Sequence, residues 1–130
     1  EYVLRDLANL QPHCHDETVV LVHDCLPTGP ACASRERTTV AWAGDVWRAA
    51  HALTVEVPEL RFVTLDVAPT GMGLLTQLGG AEPLAERLAD WTERYRRVGY
   101  DVFERDPDAA VNRREATPDV LDELLPAPPR

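Results

Sequence analysis

Apolar positions along the chain switch between a helical period and a strand period, and the switches divide it into elements. Tyr2, Val3, Leu7 and Leu10 recur at helical spacing while Arg5, Asp6 and Asn9 face away, and Pro12 ends the helix they predict. Residues 18–24 form a short apolar run, Val19-Val20-Leu21-Val22, that stops at His23-Asp24-Cys25. A run of this length bounded by polar residues predicts a strand buried on both faces. Residues 26–41 carry Pro27, Gly29 and Pro30, then Arg35, Glu36 and Arg37, and predict a loop that is long for a compact domain. From about residue 44 to 55, Val46, Trp47, Ala50 and Leu53 make the stripe of a helix, with Asp45 as its cap or first-turn charge and Pro58 beyond its exit. Residues 60–67 and 72–78 predict two strands. The turn Pro69-Thr70-Gly71 joins them tightly, which forces them to be antiparallel. After Gly79-Gly80, residues 83–98 predict a helix with Leu84, Leu88, Trp91 and Tyr95 on one face. Residues 100–115 read as irregular and charged, 118–125 as a short last helix, and Pro126, Pro128 and Pro129 as a frayed tail.

The order helix, buried strand, helix, strand, antiparallel strand, helices predicts half of an α/β sheet. A buried central strand needs neighbours on both sides and only three strands are predicted, so the sheet is expected to be incomplete. The chain starts at Glu1, already inside an amphipathic pattern, which suggests a fragment or processed chain.

Charge narrows the partners. The formal net charge is −9, whereas a binder of nucleic-acid backbone needs a basic face. Arg87, Arg94, Arg96 and Arg97 are interspersed with Glu86, Asp90 and Glu93, the mixture of a solvated helix face. No run is apolar enough to span a bilayer and no basic-then-apolar leader opens the chain. Three cysteines, Cys14, Cys25 and Cys32, with no such leader fit a reducing cytoplasm. With His13, His15 and His23 they make the first third rich in His and Cys, but their spacing matches no zinc motif.

Two segments, Val22-His23-Asp24-Cys25-Leu26-Pro27 and Trp42-Ala43-Gly44-Asp45-Val46-Trp47-Arg48, resemble class I S-adenosylmethionine-dependent methyltransferases. The likeness is to a small methyltransferase-like group with a strand ending in His-Asp-Cys followed by Trp-x-Gly-Asp-Val-Trp. Val63-Thr64-Leu65-Asp66 and Gly71-Met72-Gly73-Leu74-Leu75 extend it over residues 1–78. The resemblance implies a partial Rossmann-like α/β sheet whose last strand runs antiparallel to the rest. Residues 1–80 would be the C-terminal half of the methyltransferase-like domain and 81–130 a helical C-terminal extension. It implies methyl transfer from S-adenosylmethionine to a small-molecule oxygen or nitrogen. The family's glycine-rich loop and acidic strand end do not occur in this sequence, so these residues alone are expected to bind the cofactor poorly and to be inactive.

Ligands of open α/β sheets bind beyond the carboxyl ends of the strands, which makes His23 and Asp24 the candidate catalytic residues. An imidazole there suits proton removal near neutrality. In related metal-dependent O-methyltransferases, acidic and amide residues ending this strand help hold a divalent cation. Asp24 matches such a position, and His23 in place of an oxygen ligand would favour a transition metal. A further acidic ligand would come from a strand before Glu1. Residues 27–41 can form a substrate lid, with Arg35 and Arg37 holding an anionic group. Trp42 and Asp45 are candidate substrate contacts, and Trp47 belongs to the core. The rival reading is a catalytically dead interaction module that uses the exposed sheet edge, which would also drive self-association. A third possibility is a hydrolase or transferase of another α/β family with an Asp-containing strand end; a serine nucleophile elbow would support it, but Ser34, the only serine, has no G-x-S-x-G setting.

Overall fold

A computed structural model of the chain describes residues 1–126; Pro128 and Pro129 of the expected tail lie outside them. Among the described residues the protein is mixed α/β, with one four-stranded sheet and six α-helices. α1 (Tyr2–Leu10) runs into a 3-10 turn at Gln11–His13, where Pro12 removes the next helical donor. β1 (Val19–His23) follows, then a long segment without helix or strand, then α2 (Val46–Glu56). β2 (Arg61–Asp66) and β3 (Met72–Thr76) form the hairpin expected from the turn between them. α3 (Leu88–Arg96) completes the helix predicted over 83–98, which is broken at Arg87 after a 3-10 turn at Leu84–Glu86.

The stretch expected to be irregular is not. It holds α4 (Tyr100–Arg105), α5 (Pro107–Val111) and β4 (Arg113–Glu115), before α6 (Pro118–Leu124). Asp106 caps α5 by accepting from the Ala109 N–H, and Pro107 fills its first position. Asn112 then takes a left-handed conformation and its amide donates to the Phe62 carbonyl at 2.7 Å, which delivers β4 to the sheet.

The strand order is β1-β3-β2-β4. β3 is antiparallel to both β1 and β2, so β1 and β2 run the same way through the α2 crossover; β4 is parallel to β2. Among the described residues β1 is therefore an edge strand, as an incomplete sheet implies, but it is not buried on both faces. Only Val22 of its five residues is buried and Leu21 is 61 % exposed. The strands covered on both faces are β2 and β3. On one face Phe62 and Leu75 join Leu4, Trp47, Leu53, Trp91 and Val111 in the main core; on the other, Val63, Leu65 and Leu74 pack under Leu124 of α6. Residues on both sides of Gly80 enter the main core. Gln11 ties them: its side-chain amide donates to the carbonyls of Leu78, Ala81 and Glu82, each at 3.1 Å, and its oxygen accepts from the Leu84 N–H at 2.8 Å. No helix among the described residues is long and apolar enough to cross a membrane.

Candidate functional site

The end of β1 is shaped by one backbone reversal. Asp24 has φ +69, a left-handed conformation that Asp tolerates better than most residues. The turn carries Cys25 into the core, fully buried, where its thiol donates to the Val22 carbonyl at 3.3 Å. It also brings the next residues against the β2–β3 turn. The Leu26 N–H donates to the Thr70 carbonyl at 2.7 Å, and the Thr70 hydroxyl donates to Asp24 Oδ1 at 2.5 Å. Leu26 fills the space where a Cβ on Gly71 would stand, 2.6 to 2.8 Å away, and Gly71 itself has φ +73. That position therefore admits only glycine without rearrangement.

His23 lies beside this clasp. Its Nδ1 is 3.0 Å from Asp24 Oδ1, while its side chain is 54 % exposed. With Nδ1–H directed at the carboxylate, the lone pair of Nε2 is free, and Nε2 has no partner among the described residues. The pair is thus an oriented imidazole whose carboxylate partner is itself held by a buried threonine. Burial, reinforced by the Asp24 carboxylate, pushes the Cys25 thiol up to about 12, so this neighbour of the pair stays protonated and inert.

Asp24 and His23 do not make a metal site by themselves. Among the described residues no three His, Cys, Asp or Glu side chains come together in a way that can hold a metal ion. Asp24 Oδ1 is already shared by Thr70 and His23, leaving one carboxylate oxygen and one imidazole nitrogen, too few for either a zinc or a hard-cation shell. Gly71 and Gly73 line no open cradle: side chains of Leu26, Phe62 and Cys25 occupy the space above both.

The other candidate residues gather elsewhere. The loop over 26–41 is anchored rather than free, since Cys32 and Ala33 are buried and the Cys32 carbonyl accepts from the N–H groups of Ala43 and Gly44 at 3.0 and 3.1 Å. Trp42 folds back over this loop, donating from Nε1 to the Ser34 carbonyl at 2.7 Å, and remains 39 % exposed. Arg37 stays within its own loop, donating to the carbonyls of Thr39 and Val40. Asp45 occupies the N-cap position of α2, but its side chain makes no cap bond; it faces Arg35 at 3.9 Å and Arg48 at 3.8 Å. Trp47 is fully buried against Tyr100 and Phe103, as expected of a core residue.

Two groups result. His23, Asp24 and Thr70 form one, at the end of β1. Arg35, Asp45, Arg48, Arg96 and Glu1 form the other, where the loop, α2 and α3 meet. No hydrogen bond or ion pair among the described residues joins them, and the clefts lined by Arg35 and Asp45 do not include His23 or Asp24. Sequence reasoning missed Thr70, Arg48, Arg96 and Glu1. Thr70 read only as a turn residue, and Arg96 as part of a solvated face; α3 does carry the expected Arg94–Asp90 and Arg97–Glu93 pairs. Compared with protein-family models, with curated proteins and with solved structures, the chain finds no match.

Proposed function

We propose that the chain is the C-terminal, acceptor-side part of a Rossmann-like, class I S-adenosylmethionine-dependent methyltransferase domain that acts on a small-molecule hydroxyl or amine. One observation carries this reading: His23 and Asp24 stand as an oriented pair at the carboxyl end of β1, in a run β1–α2–β2–β3 whose last strand is antiparallel to the others. That antiparallel ending is what the sequence resemblance implies. In this reading S-adenosylmethionine supplies an electrophilic methyl group and is held by residues outside this chain. The chain's own part is proton removal. Asp24 holds the Nδ1–H tautomer, and the exposed Nε2 accepts the proton of the acceptor group. Thr70 fixes the carboxylate that fixes the imidazole. No metal enters the proposal, because the donor set around Asp24 does not supply one.

The test is transfer of a labelled methyl group by the full-length product of the gene to a panel of small hydroxyl and amine acceptors. His23→Ala should lower the rate by about 100-fold or more, the usual worth of a positioned base. Full turnover in His23→Ala contradicts the reading.

A second reading has its own observation. The outer edge of β1 is unpaired among the described residues, and it borders a groove of about 410 Å³ lined by Val3, Leu7, Leu10, Val20 and Leu21. An open apolar edge is a template for another strand, which favours a catalytically dead interaction module or a self-associating chain. Sedimentation over a concentration series discriminates: association that Leu21→Glu abolishes supports the edge, and a monomer at all concentrations rejects it.

A further inference from the structure

The meeting point of the loop, α2 and α3 holds an excess of positive charge in a chain of net charge −9. Three guanidinium groups, Arg35, Arg48 and Arg96, face two carboxylates, Glu1 and Asp45. The excess is not satisfied internally. Arg48 is half-buried; its Nε donates to the Val98 carbonyl at 2.9 Å and its plane lies over the Trp47 ring at 4.9 Å. Its two terminal nitrogens have no hydrogen-bond acceptor among the described residues, since the nearest carboxylate oxygen, on Asp45, is 3.8 Å away. Arg35 Nη1 is likewise 3.9 Å from that carboxylate. Both distances leave charge attraction without a hydrogen bond.

The same place already shows how it holds an oxyanion. Arg35 and Arg96 both donate to one oxygen of Glu1, each at 3.1 Å, from two different parts of the chain. The hydrogen bond from Arg35, with the charge of Arg96, holds the Glu1 carboxyl below its ordinary range. Beside this fork a cleft of about 290 Å³ opens, lined by Ser34, Arg35, Asp45, Arg48, Arg96 and Tyr100. Burial holds the Tyr100 hydroxyl in its protonated form, so it adds a donor and not a charge.

We propose that this cleft is a binding site for a small oxyanion, the carboxylate or phosphate group of a metabolite-sized ligand, with Arg48 and Arg35 as its donors and the Glu1 carboxylate as a tethered competitor for Arg35 and Arg96. Guanidinium groups converge here in the way that planar oxyanion recognition requires, and one of them is partly desolvated with its terminal donors unspent. The site takes up the expectation that Arg35 holds an anion but does not rest on the methyltransferase reading: it involves neither His23 nor Asp24, and its test measures binding alone.

The experiment is a titration of the full chain with inorganic phosphate and, separately, with acetate, followed by calorimetry or by amide shifts at constant ionic strength. Saturable binding of either probe is expected, and the tighter one identifies the ligand class. Glu1→Gln should tighten it, because the competing carboxylate is gone. Arg35→Gln, at an exposed side chain whose loss leaves the core intact, should weaken it by about tenfold, the worth of one charge-assisted hydrogen bond. Arg48→Gln should weaken it at least as much, with circular dichroism confirming the fold. No saturable binding of either anion, or binding that Arg35→Gln leaves unchanged, overturns the proposal. Binding indifferent to Glu1→Gln overturns the competitor role.

Discussion

Replacing Gln11 by Ala should be among the most destabilising single changes in this protein, although the residue has no part in either site. The side chain is nearly buried and makes four hydrogen bonds to backbone groups between 67 and 73 residues away. Its two amide hydrogens are shared among three carbonyls, and its oxygen takes the Leu84 N–H at the start of a 3-10 turn. Alanine strands the Leu84 N–H away from water and leaves the Leu78 carbonyl only the longer bond from the Ala81 N–H at 3.4 Å, while the Ala81 and Glu82 carbonyls, less deeply placed, recover solvent bonds. One buried donor left unpaired costs about 1–3 kcal/mol and the weakened carbonyl about 1 kcal/mol more, so a loss of about 3 kcal/mol is expected. That is a large fraction of the stability of an ordinary domain. Urea unfolding followed by far-UV circular dichroism measures it as a fall in midpoint at constant slope. Gln11→Met, which keeps length and apolar packing, should fall almost as far, because hydrogen bonds and not volume are at stake. A loss below about 1 kcal/mol in Gln11→Ala, or a neutral Gln11→Met, would refute the reasoning.

Other outcomes follow from the same geometry. The folded state holds the Cys25 thiol up to about 12, against an ordinary 9.0. A raised value means that its contribution is complete below pH 9 and is lost as pH climbs through 12, by on the order of 4 kcal/mol at full titration. Alkaline unfolding curves should show that decline and Cys25→Ala should reduce it. At neutral pH a thiol reagent should label half-exposed Cys14 in the native protein and reach Cys25 only on unfolding. At Asp24, Ala should cost more stability than Asn by about 1 kcal/mol, because Asn keeps the left-handed preference that φ +69 demands. Equal thermal midpoints for the two variants would show that the conformation is not constrained there.

Much of the architecture was legible because periodicity reports burial directly. Leu84, Trp91 and Tyr95 recur at helical spacing and are buried. Phe62, Val63, Thr64 and Leu65 sit in a hairpin whose turn residues announced it, in a strand buried on both faces. What failed was burial at the first strand. Val19-Val20-Leu21-Val22 is apolar enough for a strand covered on both faces, yet with β3 as its one neighbour among the described residues, the open edge expected of an incomplete sheet, Leu21 faces out. β4 was illegible for the opposite reason: Arg113, Arg114 and Glu115 carry no apolar signal, and the segment becomes a strand through Asn112 and its pairing with β2. The α5 start was readable, since Asp106-Pro107 is a cap followed by a first-turn proline, but its charged surroundings masked it. At the candidate site the chemistry of His23 and Asp24 could be read from their place at a strand end. Thr70 could not, because its bond to Asp24 spans 46 residues. Arg35 was anticipated as an anion holder, whereas Arg48 and Arg96 join it only through the packing of α2 and α3.

The central claim is that this chain supplies the acceptor side of a methyltransferase and leaves the cofactor to residues outside it. Calorimetric titration of S-adenosylmethionine against the full-length gene product and against these 130 residues alone tests it most directly. The account predicts saturable binding by the full-length product and none by the chain alone, whose Gly71 and Gly73 are filled by Leu26, Phe62 and Cys25. Absence of binding by the full-length product, or micromolar binding by the chain alone, would contradict it.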